Sequence, residues 1–409
     1  MASHGIGIAA MSLAGFSSEA GAGAFAEDAP EATPVTRTVS LDALRGLAAL
    51  SVVACHYSIL LCATPYGRHI APWLVLPPFS LLSTAYGSVI LFFVLSGYVL
   101  ALSLAGDSGL NWLGFAARRF CRIWPPYALT MLASFLIGWI AVAADPLLPP
   151  VWQENVWHHD TLALSSLVEQ IGMATPSIPL DVPGWSLVYE LRISLFFPLL
   201  LAFVRRAPAT ALAAAIFLNV AGQVGPPWLS QLVPETATYI VYFAVGAWLA
   251  LNRAWIAERG RAMTGRDQAL LGLIALLSLS VPRGYPGVGV VTGLGAVLII
   301  VLAIASPPFV RVLSASWCRF LGRISYSLYL THVVVLMGVG AMLGGALPVA
   351  LVLVVATPII GLVAWSGHRW VEQPSIRLGR AVAACLTRRR SKCPNRGLDD
   401  AAFRRPELR

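Results

Sequence analysis

Residues 41–62 read LDALRGLAALSVVACHYSILLC, an apolar run of a length that spans roughly 30 Å of hydrocarbon as a helix. Arg45 and His56 interrupt the run eleven positions apart. Eleven steps of about 100° bring a helix almost back to its starting angle, so the two side chains share a face roughly 16 Å apart along the axis. A central arginine in a membrane helix costs about 2.5–3.5 kcal/mol on insertion scales. Two such groups on one face mark a pathway or a site.

Working outward, the same kind of segment recurs along all 409 residues, of which 57% are hydrophobic and 11% charged. That balance predicts an all-α, polytopic transmembrane bundle and excludes an ordinary soluble domain. No ten-residue alternation points to a β-barrel. Ten spans are expected, near 41–62, 81–105, 122–144, 184–204, 207–221, 237–252, 267–281, 286–306, 320–342 and 347–369.

The net charge of +9 is carried almost wholly by arginine. These arginines sit at span edges, which fits membrane topology and gives no reason to expect a nucleic-acid partner. With the N-terminus inside, the intracellular loops hold Arg118, Arg119 and Arg122, then Arg205 and Arg206, then Arg253, Arg259, Arg261 and Arg266. The outside segments hold only Arg68 and Arg283, and the loop 145–183 has none. Both termini are therefore expected inside, in the cytoplasm. Residues 1–36 read as a disordered leader, 37–380 as the membrane domain, and 381–409 as a basic, disordered tail that suits an anionic lipid surface. The six cysteines lack metal-ligand spacing, and no metal site is expected. In the loop 145–183, Trp152 and Trp157 suit either an interfacial belt or a sugar-stacking surface, and the adjacent His158 and His159 make a poor metal pair.

Counting from the span ends places His56 and Glu190 at equal depth, roughly 9 Å from the outer ends of their helices. Two readings follow: a general-base couple in which the carboxylate orients the imidazole, or an interhelical hydrogen bond that only packs. Arg118, Arg119 and Arg122 precede Pro125 and Pro126, residues expected to open the start of the third span. The arginines are either topological anchors or an anion cradle for phosphate. Gly97, after Ser96, permits close helix approach. Ser325, Tyr329 and His332 form a polar stripe at i, i+4 and i+7, which either contacts substrate or joins helices.

Five blocks in order, LDALRGLAALSVVACHY, FFVLSGYVLA, RRFCRIWPPY, GWSLVYELRISLFFPLLL and LGRISYSLYLTHVVVL, resemble the bacterial integral-membrane acyltransferase family three from about Arg37 to Gly379. The resemblance implies transfer of an acetyl or other short acyl group from cytoplasmic acyl-coenzyme A to a hydroxyl of a periplasmic or surface glycan such as a polysaccharide or lipopolysaccharide. No permanently bound cofactor is implied. The family's arginine–histidine motif falls on Arg45 and His56, its paired arginines on Arg119 and Arg122, and its tryptophan–serine–glutamate block on Trp185, Ser186 and Glu190. The combined expectation is catalysis by His56 and Glu190. Donor binding falls to Arg45, Arg118, Arg119, Arg122 and Arg323, and substrate contact to Trp185, Ser325, Tyr329 and His332. The rival reading is a transporter that exports a glycan or an acylated metabolite without chemistry, its polar groups lining a path.

Overall fold

The computed structural model describes residues 34–105, 112–143, 157, 161–224, 226, 234–284, 287–343 and 346–391. Among these residues there is no strand. The main helices are α1 (Pro34–Cys62), α2 (Tyr86–Ala105), α3 (Trp112–Ala143), α4 (Leu164–Ile171), α5 (Gly184–Arg206), α6 (Pro208–Val224), α7 (Ile240–Leu251), α8 (Arg253–Arg261), α9 (Gly265–Leu279), α10 (Val288–Ala305), α11 (Ser316–Leu343), α12 (Val349–Gly367) and α13 (Gln373–Ser391).

Among the described residues, seven helices are long and apolar enough to cross a membrane, and the pair 235–251 and 253–261, bent by 70°, brings the number to eight if it is one span. The segments expected as spans at 207–221 and 267–281 form the helices Pro208–Val224 and Gly265–Leu279, shorter than the other spanning helices.

The bundle is built from two close helix pairs whose contacts the glycines explain. α1 packs along α11, where a Cβ on Gly46 would lie 2.5 Å from the backbone of Gly322. α2 packs along α7, where a Cβ on Gly97 would lie 2.3 Å from the carbonyl oxygen of Phe243. Backbones at these distances leave no room for any side chain, which is how small residues bring membrane helices together.

Three expectations are corrected by the fold. First, the segment after residue 160 folds inward, and Trp157 belongs to the core. Its Nε1 donates to Ser134 Oγ at 3.1 Å, and Leu162, Leu167 and Leu180 are buried with it. Trp152, His158 and His159 lie outside the described residues. Arg192 holds this segment in place, donating to the carbonyl oxygens of Met173 at 3.0 Å and Ala174 at 2.8 Å. Second, Pro125 and Pro126 lie well inside α3, which begins at Trp112. The arginines therefore project from the body of a helix and not from its frayed start. Third, α13 runs to Ser391, into the tail expected to be disordered, because Ala383 is buried and Gly379 lets the helix sit against Arg118 and Cys121 of α3. Between α12 and α13 the chain makes one π-helical turn, residues His368–Glu372.

Candidate active site

Two cavities open at opposite ends of α1. The first, about 440 Å³, lies where α1 begins and is lined by Arg45, Arg119, Arg122 and Arg323, contributed by α1, α3 and α11. Asp42, Glu190, Ser96, Ser325, Tyr329 and the π-turn residues His368 and Glu372 share its wall. Four of the five arginines expected to bind a donor thus converge. Arg118 does not line this cavity and packs beside α13.

The carboxylates in this cavity are already engaged. Asp42 Oδ1 takes Arg45 Nη1 at 3.1 Å, an i,i+3 pair on α1. Glu190 Oε1 accepts from Arg119 Nη2 at 2.8 Å and from Ser96 Oγ at 3.0 Å. Glu372 Oε2 accepts from Ser327 Oγ and pairs with His368 Nδ1, both at 3.0 Å. Arg122 and Arg323 have no carboxylate partner among the described residues, and Nε of Arg119 is buried without an acceptor. The cavity therefore offers unspent N–H donors and uncompensated positive charge, a setting made for an oxyanion.

The second cavity, about 760 Å³, lies where α1 ends. His56 lines it, together with Trp185, Tyr189, Tyr239, Gln223, Glu235 and Arg283. Glu235 accepts a hydrogen bond from the Tyr189 hydroxyl.

The pairing expected between His56 and Glu190 is not the one the fold makes. Glu190 faces the arginine cavity, bonded to Arg119, whereas His56 faces the other cavity and meets His332. Equal depth fixes height on two helices but not the direction in which each side chain points. His332 is fully buried, and its Nε2 lies 3.2 Å from His56 Nδ1. The contacts define the tautomers. Nδ1 of His332 faces the carbonyl oxygen of Leu328 at 3.0 Å and so carries a proton, leaving its Nε2 as an acceptor in the neutral ring. Nδ1–H of His56 then donates toward that nitrogen and toward the Val52 carbonyl oxygen at 2.9 Å. Nε2 of His56 is left as the unprotonated nitrogen, the atom a general base needs. His332 thus holds the position expected for Glu190.

The polar stripe on α11 divides accordingly. Ser325 and Tyr329 line the arginine cavity, and His332 joins the other histidine. Between the cavities, the Tyr329 hydroxyl donates to the Pro183 carbonyl oxygen at 3.0 Å and pairs with Ser186 Oγ at 2.7 Å. The Phe92 ring stands edge-on to Tyr329 at 5.3 Å. These side chains form a septum one helical turn from His332.

Sequence reasoning gave His368 and Glu372 no site role, although they stand i,i+4 apart and Glu372 belongs to the stretch Val371–Pro374 that also resembles the family's ending. The histidine pair had a readable trace. Gly46 and Gly322 touch where α1 and α11 cross, and His56 and His332 each follow ten residues later. Two helices running in parallel from a shared contact advance together, so residues equally far along meet again.

A family profile described as "Acyltransferase domain" matches residues 38–366. Acyltransferase MdmB of Streptomyces mycarofaciens is 31% identical over 229 residues, covering 54% of this chain and 53% of the relative. The chain thus spans about half the length of the curated relative it matches. No solved structure matches it. The profile covers both histidines and the four cavity arginines, so the chain belongs to acyltransferase family three, and its long apolar helices are those of a multi-pass membrane protein.

Proposed function

We propose that this enzyme moves an acetyl or other short acyl group from acyl-coenzyme A, entering at the Arg45 end, to a hydroxyl of a periplasmic or surface glycan at the His56 end, across the inner membrane. The observation that carries the reading is the convergence of Arg45, Arg119, Arg122 and Arg323 on one cavity, two of them without a carboxylate. A coenzyme A donor brings several phosphate oxyanions and a pantetheine arm. Its phosphates fit Arg122 and Arg323, with the Nε–H of Arg119 as a further donor. The arm follows the Arg45 face of α1, roughly 16 Å toward His56.

The thioester arrives at the septum, where the Tyr329 and Ser186 hydroxyls can turn from each other to the carbonyl oxygen and stabilise developing charge. Nε2 of His56 takes the proton of the acceptor hydroxyl as its oxygen bonds to the carbonyl carbon. The carbon–sulfur bond breaks, and the thiolate recovers the proton from His56. The His332 lone pair and the Val52 carbonyl support the imidazolium in between. Exchange of a thioester for an ester needs little driving force, so positioning and proton removal are the main requirements.

The test is donor binding and turnover by the full chain in nanodiscs. Acetyl-coenzyme A should bind and release free thiol only when acceptor is present. R122E and R323E should raise the apparent donor KM by about tenfold or more, because each removes charge-assisted hydrogen bonds of about 1.5–3 kcal/mol. Unchanged donor KM in both variants refutes the donor site.

A further inference from the structure

Arg283 breaks the charge rule of this sequence. The segments read as outside are nearly devoid of basic residues, yet this arginine stands at the wall of the cavity that holds His56. It is exposed, and its guanidinium lies 5.2 Å from the Tyr86 ring centre and 5.9 Å from that of Trp185. Packing against two rings limits where the guanidinium can swing. It also hydrogen-bonds Tyr239, and its remaining in-plane N–H groups suit an oxyanion. Glu235 lines the same cavity and accepts from Tyr189. The cavity, about 760 Å³, lies within the roughly 300–1,000 Å³ range of small-molecule sites.

From this arrangement we infer that the His56 cavity selects an acidic acceptor: a hydroxylated ring bearing a carboxylate or phosphate that Arg283 grips, with the ring face on Trp185 and a hydroxyl delivered to His56. The inference rests on the acyl-transfer reading above and adds the charge of the acceptor.

The experiment uses the full chain in nanodiscs with three probes: methyl β-glucuronide, glucose 6-phosphate and neutral methyl β-glucoside. Labelling of arginines with a dicarbonyl reagent, read by peptide mass spectrometry, reports occupancy without requiring turnover. Either acidic probe should protect Arg283 while the neutral glycoside does not; protection by only one identifies the acidic group as carboxylate or phosphate. In turnover with acetyl-coenzyme A, R283Q should lower kcat/KM for the protected probe by about tenfold or more, the value of a charge-assisted contact, and leave the donor KM unchanged. Absence of protection by both acidic probes, or equal protection by the neutral one, overturns the inference. Failure of the acyl-transfer reading looks different: acetyl-coenzyme A then neither binds nor shields Arg122, whatever happens at Arg283.

Discussion

Nε2 of His332 lies 3.2 Å from Nδ1 of His56, and each histidine stands ten residues beyond the glycine at which its helix touches the other. The proposed base and the ring beside it therefore belong to one parallel helix pair.

This coupling sets unequal costs for the two rings. H56A should lose about 10²–10⁴-fold in kcat, the usual worth of a positioned general base, while remaining folded and inserted. H332A should lose less in kcat and leave the donor KM unchanged, since it frees the His56 ring without removing it. Steady-state kinetics with acetyl-coenzyme A separates the two, and full activity of H56A rules out the base.

The glycine contact gives a stability prediction. In G46A the new Cβ meets the backbone of Gly322, and in G322A it lies 2.6 Å from the Asp42 carbonyl oxygen. No flexible side chain can yield, so the helices must separate, at about 1–3 kcal/mol for overpacking. Thermal unfolding in detergent should show both variants destabilised. Both should also lose kcat, because separation at the crossing pulls the histidines apart. A variant with normal kcat and normal melting would contradict the packing.

Arg119 is asked to do two things, and a double-mutant cycle resolves them. R119A leaves Glu190 without its cation, a loss of about 3 kcal/mol for a largely buried pair. R119A/E190Q should recover most of that stability. Neither should recover donor KM, because the arginine's remaining N–H groups are the ones assigned to the donor. Recovery of donor KM in the double variant would make Arg119 purely structural.

Asp181 sits in the segment before α5, fully buried, and neither carboxylate oxygen has a hydrogen-bond donor. Burial pushes its carboxyl well above the usual carboxylate range. The folded state then binds this proton more tightly than the unfolded chain does. Its contribution to stability is full below the ordinary pKa of about 3.9 and is lost as pH rises through the folded value. D181N, neutral throughout, should flatten that part of the melting-temperature profile above about pH 4. An unchanged slope would show that Asp181 is ionised in the fold.

Much of this was legible in the sequence, for physical reasons. Apolar length fixes helices because a bilayer leaves backbone groups no other partner. The arginine cluster was legible as well, since Arg45, Arg119, Arg122 and Arg323 lie near the same end of their spans and a narrow bundle must gather them. Glu190 was misassigned because its partner depends on helix order around the bundle, which local spacing does not encode. Trp157 was misread because an aromatic residue in a long loop looks the same in sequence whether the loop rests on a surface or folds inward. His368 and Glu372, i,i+4 apart, were given no role because spacing does not tell which cavity that face meets.

The septum of Tyr329, Ser186 and Phe92 has an electrical consequence. A bundle open at both ends would conduct if its vestibules met, and a membrane potential is worth about 2.3 kcal/mol per charge at 100 mV. In the acyl-transfer reading proposed above, this hydroxyl pair and aromatic edge would act as a plug and not a pore. A reactive carbonyl would then be handed from one side to the other while the ion gradient that energises the cell stays insulated.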